Sequence, residues 1–263
     1  CIAAAVAGGG VGAGDEQWVN PGAAADAADV LVNLAWLDDD APLNAPTLLT
    51  PTENLADAAC AALETPTPSP AGPEMDEGAE FAAGSDAALR CAAAGLLGFA
   101  ATCTIDGEVG GWRDDAFARR AVDALASNVV KSTSGGEARD GDVGGAAAAR
   151  TAAAARTAAA CVRALHAVAS NGGDGLGAGP TAVASHPVVI PRLVKLASRR
   201  GGAWRECRAA SMDALAAAAL STEGRRRLSA HEEDLLRLAV EDRGVAEGPV
   251  MLTMSRIAEG SKV

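Results

Sequence analysis

The chain has 263 residues, of which 49% are hydrophobic, about a quarter are alanine and only 3% are aromatic. Because alanine buries little surface per residue, this composition disfavours a compact globule built around large side chains and favours closely stacked helices. The formal net charge of −12 disfavours nonspecific binding to nucleic acid, so nucleic acid is not an expected partner.

The charge is divided unevenly, with −16 in residues 1–110 and +4 in residues 111–263, which predicts two surfaces with different binding preferences. No run of eighteen apolar residues predicts a membrane-spanning helix, and we expect no membrane partner. The six cysteines have no C-x-x-C spacing, which favours free thiols inside the cell, in the cytoplasm or nucleus. The chain begins without Met, and we interpret it as a fragment of a longer protein.

A glycine-rich segment at the start of the chain offers one alternative function. Gly8, Gly10 and Ala13 fit the pattern G-x-G-x-x-A, and Asp29 follows about twenty residues later, as in dinucleotide-binding proteins. That pattern needs a strand directly before it and a helix directly after it. Only seven residues precede it here and a proline follows soon after, so we favour the end of a helix and a loop. A nucleotide- or cofactor-binding enzyme remains the alternative, and no cofactor is expected.

Helices are predicted wherever apolar residues recur every three or four positions. They are expected at 22–37, 51–63, 85–102, 114–130, 156–169, 187–199, 203–221, 230–241 and 246–259. Two start signals are capping boxes, formed by Thr50 with Glu53 and by Ser229 with Glu232.

Three segments rich in glycine, proline or charge are predicted to be disordered insertions, at about 64–84, 131–145 and 171–185. In the first, Thr65, Thr67 and Ser69 each precede a proline, which is the context of proline-directed phosphorylation. An unmodified spacer is the alternative.

The helix at 187–199 is expected to bury one face only. Its apolar stripe is Ile190, Leu193, Val194 and Ala197. The helix at 203–221 has a stripe on each of two faces and must therefore be covered on two sides. For the helix at 230–241, the stripe is formed by Leu228, Leu235, Leu236 and Ala239.

Several of these segments resemble the helices of armadillo-type repeats. VIPRLVKLA (189–197) resembles the second armadillo helix, and CRAASMDALAAAAL (207–220) resembles the third. VLVNLAWL (30–37) is similar to the end of a third helix, with Asn33 at the asparagine position. The resemblance to the armadillo (ARM/HEAT-like) family implies an all-α right-handed α-solenoid of about five units over a single domain, 1–263.

The spacing of leucines supports a repeat. From Leu125 to Leu165 is 40 residues, from Leu165 to Leu215 is 50, and from Leu215 to Ile257 is 42. Armadillo and HEAT units run to about 40–47 residues.

The armadillo resemblance implies a protein–protein interaction scaffold without catalysis, which binds its partner on a surface built from third helices. A nucleotide-exchange cochaperone of Hsp70 is a narrower alternative, because some such cochaperones share this fold. The ladder of asparagines that the family uses for peptides is matched here only by Asn33, with Asn128 one position off.

Basic residues gather in the second half of the chain. Arg192, Lys195 and Arg199 share one helix face, Arg205 and Arg208 follow, and 225–227 is an arginine run in the next loop. Guanidinium groups bind carboxylate and phosphate in a bidentate way. The candidate partner-binding residues are therefore Arg192, Lys195, Arg199, Arg205 and Arg208, and the armadillo resemblance adds Asn33. The expected partner is an acidic or phosphorylated protein segment, which could be the acidic first part of this chain; a merely solvated face is the alternative.

The three histidines, His166, His186 and His231, have no zinc-site spacing, and we expect no metal. Neither a G-x-S-x-G elbow nor a Walker loop is present, so no catalytic residues are predicted.

Overall fold

The computed structural model describes residues 55–65, 77–102, 104–105, 108–109, 115–134, 145–170, 177–241 and 247–260. Within these ranges the chain forms ten α-helices: α1 (Leu55–Glu64), α2 (Glu77–Thr102), α3 (Asp115–Ser134), α4 (Gly145–Ser170), α5 (Ala178–Ser185), α6 (Val189–Ala197), α7 (Arg205–Ala218), α8 (Thr222–Ser229), α9 (Glu232–Glu241) and α10 (Glu247–Gly260). A 3-10 turn, Gly202–Trp204, precedes α7. The expected all-α class is confirmed for the described residues, and no helix among them is long and apolar enough to cross a membrane.

The strand content of the described residues is a single short hairpin. Thr104–Ile105 (β1) pairs antiparallel with Glu108–Val109 (β2), with Thr104 opposite Val109 and Ile105 opposite Glu108. The predicted helix at 22–37, the cap formed by Thr50 and Glu53, and Asn33 all lie outside the described residues.

The apolar stripe of α6 is buried as predicted. Ile190, Leu193, Val194 and Ala197 are all at most 5% exposed. Lys195, on the opposite face, is exposed. Helix α6 therefore lies with one side against the core and the other side in solvent.

Helix α7 is buried on both of its predicted faces. Cys207 and Ala214 are buried on one side, and Met212 and Leu215 are buried on the other. The helices that cover it are α4, α6 and α10. A helix that is apolar on two sides thus lies between neighbours, as its sequence requires.

The helices stack in two rows. In one row α2 packs against α4, α4 against α7 and α7 against α10; in the other α1 packs against α3, α3 against α5 and α5 against α8. Small residues allow the close approach in the first row. A Cβ placed on Gly98 of α2 would lie 3.2 Å from the Cα of Ala164 on α4, so the two helices nearly touch there.

Two successive helix triplets at the end of the chain have nearly equal lengths. Helices α5, α6 and α7 have 8, 9 and 14 residues, and helices α8, α9 and α10 have 8, 10 and 14. Their first residues correspond in order: Ala178 to Thr222 is 44 residues, Val189 to Glu232 is 43, and Arg205 to Glu247 is 42.

The predicted insertions are too long at their edges. Residues 77–84 belong to α2 and residues 131–134 to α3, so the insertions predicted at 64–84 and 131–145 overlap helices. The error at 171–185 is larger, because 178–185 is helix α5. Its glycine and proline led to the prediction of a loop. Pro180 lies in the first turn of the helix, however, where proline is tolerated. Gly179 lets α5 approach α4, since a Cβ there would lie 2.9 Å from Val168.

The arginine run at 225–227 lies in helix α8 and not in a loop, which corrects the sequence prediction. Ser221 begins this helix, and its hydroxyl oxygen accepts a hydrogen bond from the backbone N–H of Gly224 at 2.9 Å. The capping box predicted for Ser229 is absent, because its hydroxyl donates to the carbonyl of Arg226 at 2.8 Å.

Two further sequence predictions are wrong, one about the apolar stripe of α9 and one about the spacing of leucines. In α9, Leu236 is 48% exposed, and Leu238 is buried in its place. Leu125 lies on α3, in the row of α1 and α5, whereas Leu165 and Leu215 lie on α4 and α7 in the other row. The 40-residue interval from Leu125 to Leu165 therefore compares helices of different rows and does not measure a repeat.

Candidate basic surface

Arg192 is engaged in the fold. Its Nη2 donates to the carbonyl of Val130 at 3.2 Å and to the hydroxyl of Ser134 at 3.1 Å, both in the last turn of α3. A cation at the carbonyl end of a helix satisfies unpaired acceptors and opposes the helix dipole. Arg192 therefore closes the end of α3, a role that the sequence did not indicate, and its assignment to a partner surface stays a prediction.

Arg208 has the same kind of role. Its Nε donates to the carbonyl of Ala197, the last residue of α6, at 3.0 Å. Arg208 thus ties the end of α6 to α7, and its assignment to a partner surface stays a prediction.

Other arginines repeat this arrangement by donating to carbonyls at or near the ends of helices. The pairs are Arg90 to Leu63 and Thr65 after α1, Arg225 to Ala219 and Leu220 after α7, Arg227 to His186 after α5, and Arg256 to Ala216 in the last turn of α7. Sequence reasoning missed this role. The available signal was an isolated arginine on an otherwise apolar helix, as at Arg90, since a buried charge needs nearby acceptors.

Three cations of the predicted set remain at the surface. Lys195 and Arg205 are exposed and make no hydrogen bond or ion pair within the described residues. The guanidinium of Arg199 lies 3.7 Å from the ring centroid of Trp204, which is 6% exposed. This cation–π contact orders the Arg199 side chain without neutralising its charge.

A fourth cation, Arg163 on α4, joins this group. Its Nη1 lies 3.5 Å from a carboxylate oxygen of Glu206, and both side chains are more than half exposed, so the ion pair is weak. Burial raises the pKa of the Cys207 thiol to about 11, while hydrogen bonding by Ser211 and the charges of Arg199 and Arg163 act to lower it. Both arginines therefore lie near the first turn of α7.

Lys195, Arg199, Arg205 and Arg163 are called the basic surface below. Trp204 precedes α7 and provides no side-chain hydrogen bond to its first N–H groups. The positive end of the α7 dipole therefore adds to the charge of the arginines around it. This arrangement attracts anions, and the negative charge of Glu206 partly opposes that attraction.

The asparagine ladder is not available in the described residues. Asn33 lies outside them. The Asn128 side chain is 2% exposed; its Nδ2 donates to the carbonyls of Leu63 at 2.7 Å and Ala124 at 2.9 Å. Its Oδ1 accepts from Arg90 at 2.7 Å. Both polar atoms of the Asn128 side chain are thus hydrogen-bonded inside the fold, and this side chain cannot contact a bound peptide.

Two of the histidines contact neighbouring residues of the fold. The Nε2 of His186 lies 2.9 Å from Asp123 Oδ1, and the N–H of Val188 donates to its Nδ1 at 3.2 Å. His231 lies 3.9 Å from Asp234. In the part of the chain described, no group of three or more His, Cys, Asp or Glu is arranged to bind a metal. Gly8, Gly10, Ala13 and Asp29 lie outside that part.

Two other surface features give weaker indications of a binding site. A cavity of about 170 Å³ is lined by Asp115, Arg119, Ala178, Thr181, Ala182 and Ser185. It is smaller than the cavities that usually hold small-molecule ligands. Helices α9 and α10 also expose large apolar side chains, which are Leu236, Val240, Met251 and Leu252.

Comparison with protein-family models, with curated proteins and with solved structures gives no match for this chain. The armadillo resemblance therefore rests on the sequence motifs and on the helix arrangement.

Proposed function

We propose that this chain is an intracellular protein-interaction scaffold of armadillo type, a right-handed α-solenoid in one domain. It binds an acidic or phosphorylated segment of a protein partner at the basic surface and performs no catalysis. The observation that carries the proposal is the gathering of Arg163, Arg199 and Arg205 around the first turn of α7, with Lys195 exposed on α6, four residues before Arg199.

The helix triplets support the armadillo part of the proposal. Helices α5–α7 and α8–α10 follow the same short, short, long order, and their starts are 42 to 44 residues apart. This spacing falls within the 40–47 residues typical of armadillo and HEAT units. In each unit the third helix, α7 or α10, continues the row that begins with α2 and α4.

The basic surface supports the partner chemistry. Within the described residues the donors of Lys195 and Arg205 are unused, and Arg199 is held in place by Trp204 before any partner arrives. Less side-chain entropy is then lost when Arg199 binds an anion. Arg163 can exchange its weak contact with Glu206 for a partner carboxylate or phosphate.

Direct binding to labelled peptides tests this proposal. Fluorescence anisotropy would compare a glutamate-rich peptide, a phosphothreonine peptide and a lysine-rich peptide at two salt concentrations. Lys195→Glu with Arg205→Glu should weaken acidic-peptide binding at least about tenfold, which is about 1.4 kcal/mol. The control is Arg119→Glu with Lys131→Glu, two exposed cations on α3 with the same change in net charge. Equal losses in both variants would show that net charge alone matters.

Added nucleotide separates this proposal from the alternatives. A scaffold should keep its Tm when ATP or NAD is added, since only a bound ligand stabilises the native state. A rise of several degrees would favour the nucleotide-binding alternative. Accelerated release of labelled nucleotide from Hsp70 would favour the cochaperone alternative.

A further inference from the structure

Thr65 lies where α1 ends, and its side chain is exposed. Its hydroxyl donates to the carbonyl of Ala61 at 2.8 Å, and its backbone N–H donates to the same oxygen at 3.0 Å. Residue 66 is proline, which disfavours helical geometry at the residue before it and favours an extended chain. An exposed threonine that precedes proline and leaves a helix is the kind of residue that proline-directed kinases modify.

Charged groups surround this point, and each guanidinium nitrogen of Arg90 and Arg120 already donates to at least one acceptor. Arg120 on α3 donates through Nε and Nη2 to the two carboxylate oxygens of Glu64 at 2.8 and 2.9 Å, and through Nη1 to Asp57 at 3.0 Å. Arg90 is 4% exposed, and its Nη2 donates to the carbonyl of Thr65 at 2.7 Å. Its other nitrogens bond Asp86, Leu63 and Asn128. The two cations are therefore matched by three carboxylates before any modification.

We propose that Thr65 is a phosphorylation site for a proline-directed serine/threonine kinase and that its phosphate releases α1 from α2 and α3. In the transfer, the bond between the γ-phosphorus of ATP and the oxygen it shares with the β-phosphate breaks. A new bond forms from that phosphorus to Thr65 Oγ1. The hydroxyl proton passes to the kinase, and ADP leaves.

The sign of the effect follows from the charges. A phosphothreonine adds about −1.5 to −2 charge at neutral pH, beside Glu64 and one turn or more from Asp57. The phosphate stands at the carbonyl end of α1, where the helix dipole is already negative. Phosphorylation also removes the O–H that Thr65 donates to Ala61. All three changes disfavour the docked helix.

The apolar anchorage of helix α1 is small, so that its docking depends on the polar contacts near Thr65. Among its described side chains the buried ones are Ala59, Cys60, Ala62 and Leu63, of which only Leu63 is a large aliphatic group. Small side chains bury little apolar area and stabilise the contact correspondingly little. In the described residues α1 lies mainly against α2 and α3 and forms the edge of its row.

Cys60 reports the release of α1. It is fully buried, and burial chiefly raises the pKa of its thiol to about 12, so it reacts slowly while α1 is docked. The full chain would be treated with a purified proline-directed kinase and ATP, and mass spectrometry would locate the phosphate. Iodoacetamide labelling of each cysteine would then be followed by peptide mapping. Phosphorylation should speed Cys60 labelling at least about tenfold, because opening restores an ordinary thiol pKa.

Two controls define the outcome. In Thr65→Val, the same kinase treatment should leave Cys60 labelling unchanged, although Thr67 and Ser69 remain available. Cys161, buried on α4, should keep its rate. The proposal is overturned if the kinase leaves Thr65 unmodified, or if phosphate on Thr65 leaves Cys60 labelling unchanged or slower, as capture by Arg120 would do. Equal acceleration of Cys60 and Cys161 would mean global unfolding and would overturn it as well.

Discussion

The guanidinium of Arg90 on α2 donates across 2.7 Å to the side-chain oxygen of Asn128 on α3. Both side chains also donate to one carbonyl, that of Leu63 in α1, at 3.1 and 2.7 Å. The ion pair of Arg90 with Asp86 at 2.8 Å completes the set. A buried network of polar atoms therefore joins helices α1, α2 and α3. The other contacts among these helices are made largely by alanine.

Replacing Arg90 should cost the fold much more than replacing an exposed arginine. Arg90→Met leaves the carbonyl of Thr65 and the Asn128 oxygen without the donor that Arg90 supplies, and the carbonyl of Leu63 keeps only Asn128. We expect a loss of about 3 kcal/mol. Arg119→Met removes only an exposed pair with Asp115 and should stay within about 0.5 kcal/mol. Urea unfolding measures both, and similar losses would show that the buried network contributes little.

Two glycines offer a matched test of close packing. A Cβ on Gly224 would overlap the carbonyl oxygen of Ala218, whereas a Cβ on Gly248 would meet nothing. Gly224→Ala should therefore destabilise the protein by about 2–4 kcal/mol. Gly248→Ala, in helix α10, should stabilise it by about 0.5 kcal/mol, because alanine lowers the backbone entropy of the unfolded chain. Thermal unfolding measured by circular dichroism compares them, and Tm changes of the same sign would contradict the packing at Gly224.

Arg192 and Lys195 should differ in stability although they lie one turn apart on α6. Arg192→Met removes the donor at the end of α3 and should cost about 1 kcal/mol. Lys195→Met removes an exposed cation without a partner in the described residues and should change stability by less than about 0.5 kcal/mol. If denaturant midpoints of the two variants coincide, Arg192 is not a helix cap. The binding assay above should show the opposite order, with the larger effect for Lys195.

Glu223 should make stability depend on acid pH. Hydrogen bonds from Arg226 and then Arg227 lower the pKa of its carboxyl to about 2. Because the folded pKa lies below the unfolded one, the stabilisation is complete above the ordinary value, about 4.3, and is lost as pH falls towards 2. The Tm difference between wild type and Glu223→Gln should therefore shrink below about pH 4.3. Carbon NMR titration should show a higher Glu223 pKa in Arg226→Met, and an unchanged value would contradict the pairing.

Local periodicity predicted the long elements well. The stripes of α6 and α7 follow from the spacing of Ile190, Leu193, Met212 and Leu215, and each of these side chains is buried. Such faces are visible in a sequence because neighbouring residues on one helix determine them. The same reasoning placed Lys195 of α6 correctly on the side away from the core.

What the sequence did not predict depends on contacts between distant residues. Helices α5 and α8 are short and contain Gly179, Pro180 and Gly224, so local propensity favours loops there. Their tertiary contacts make them helical. Likewise, the role of Arg192 depends on Val130, 62 residues earlier. No spacing rule within one helix can report such a partner, and the helix-end contacts of Arg192 and Arg208, two of the five expected cations, were therefore missed.

The arginines that close helix ends also bear on how the chain unfolds. Arg90, Arg192 and Arg227 each bond carbonyls of a helix other than their own, across 25 to 62 residues. A triplet excised at 178–220 would lack Arg227 and Arg256, leaving the last carbonyls of α5 and α7 exposed to water. Neighbouring triplets should therefore lose structure together, in one cooperative transition, rather than melt one after another from an end.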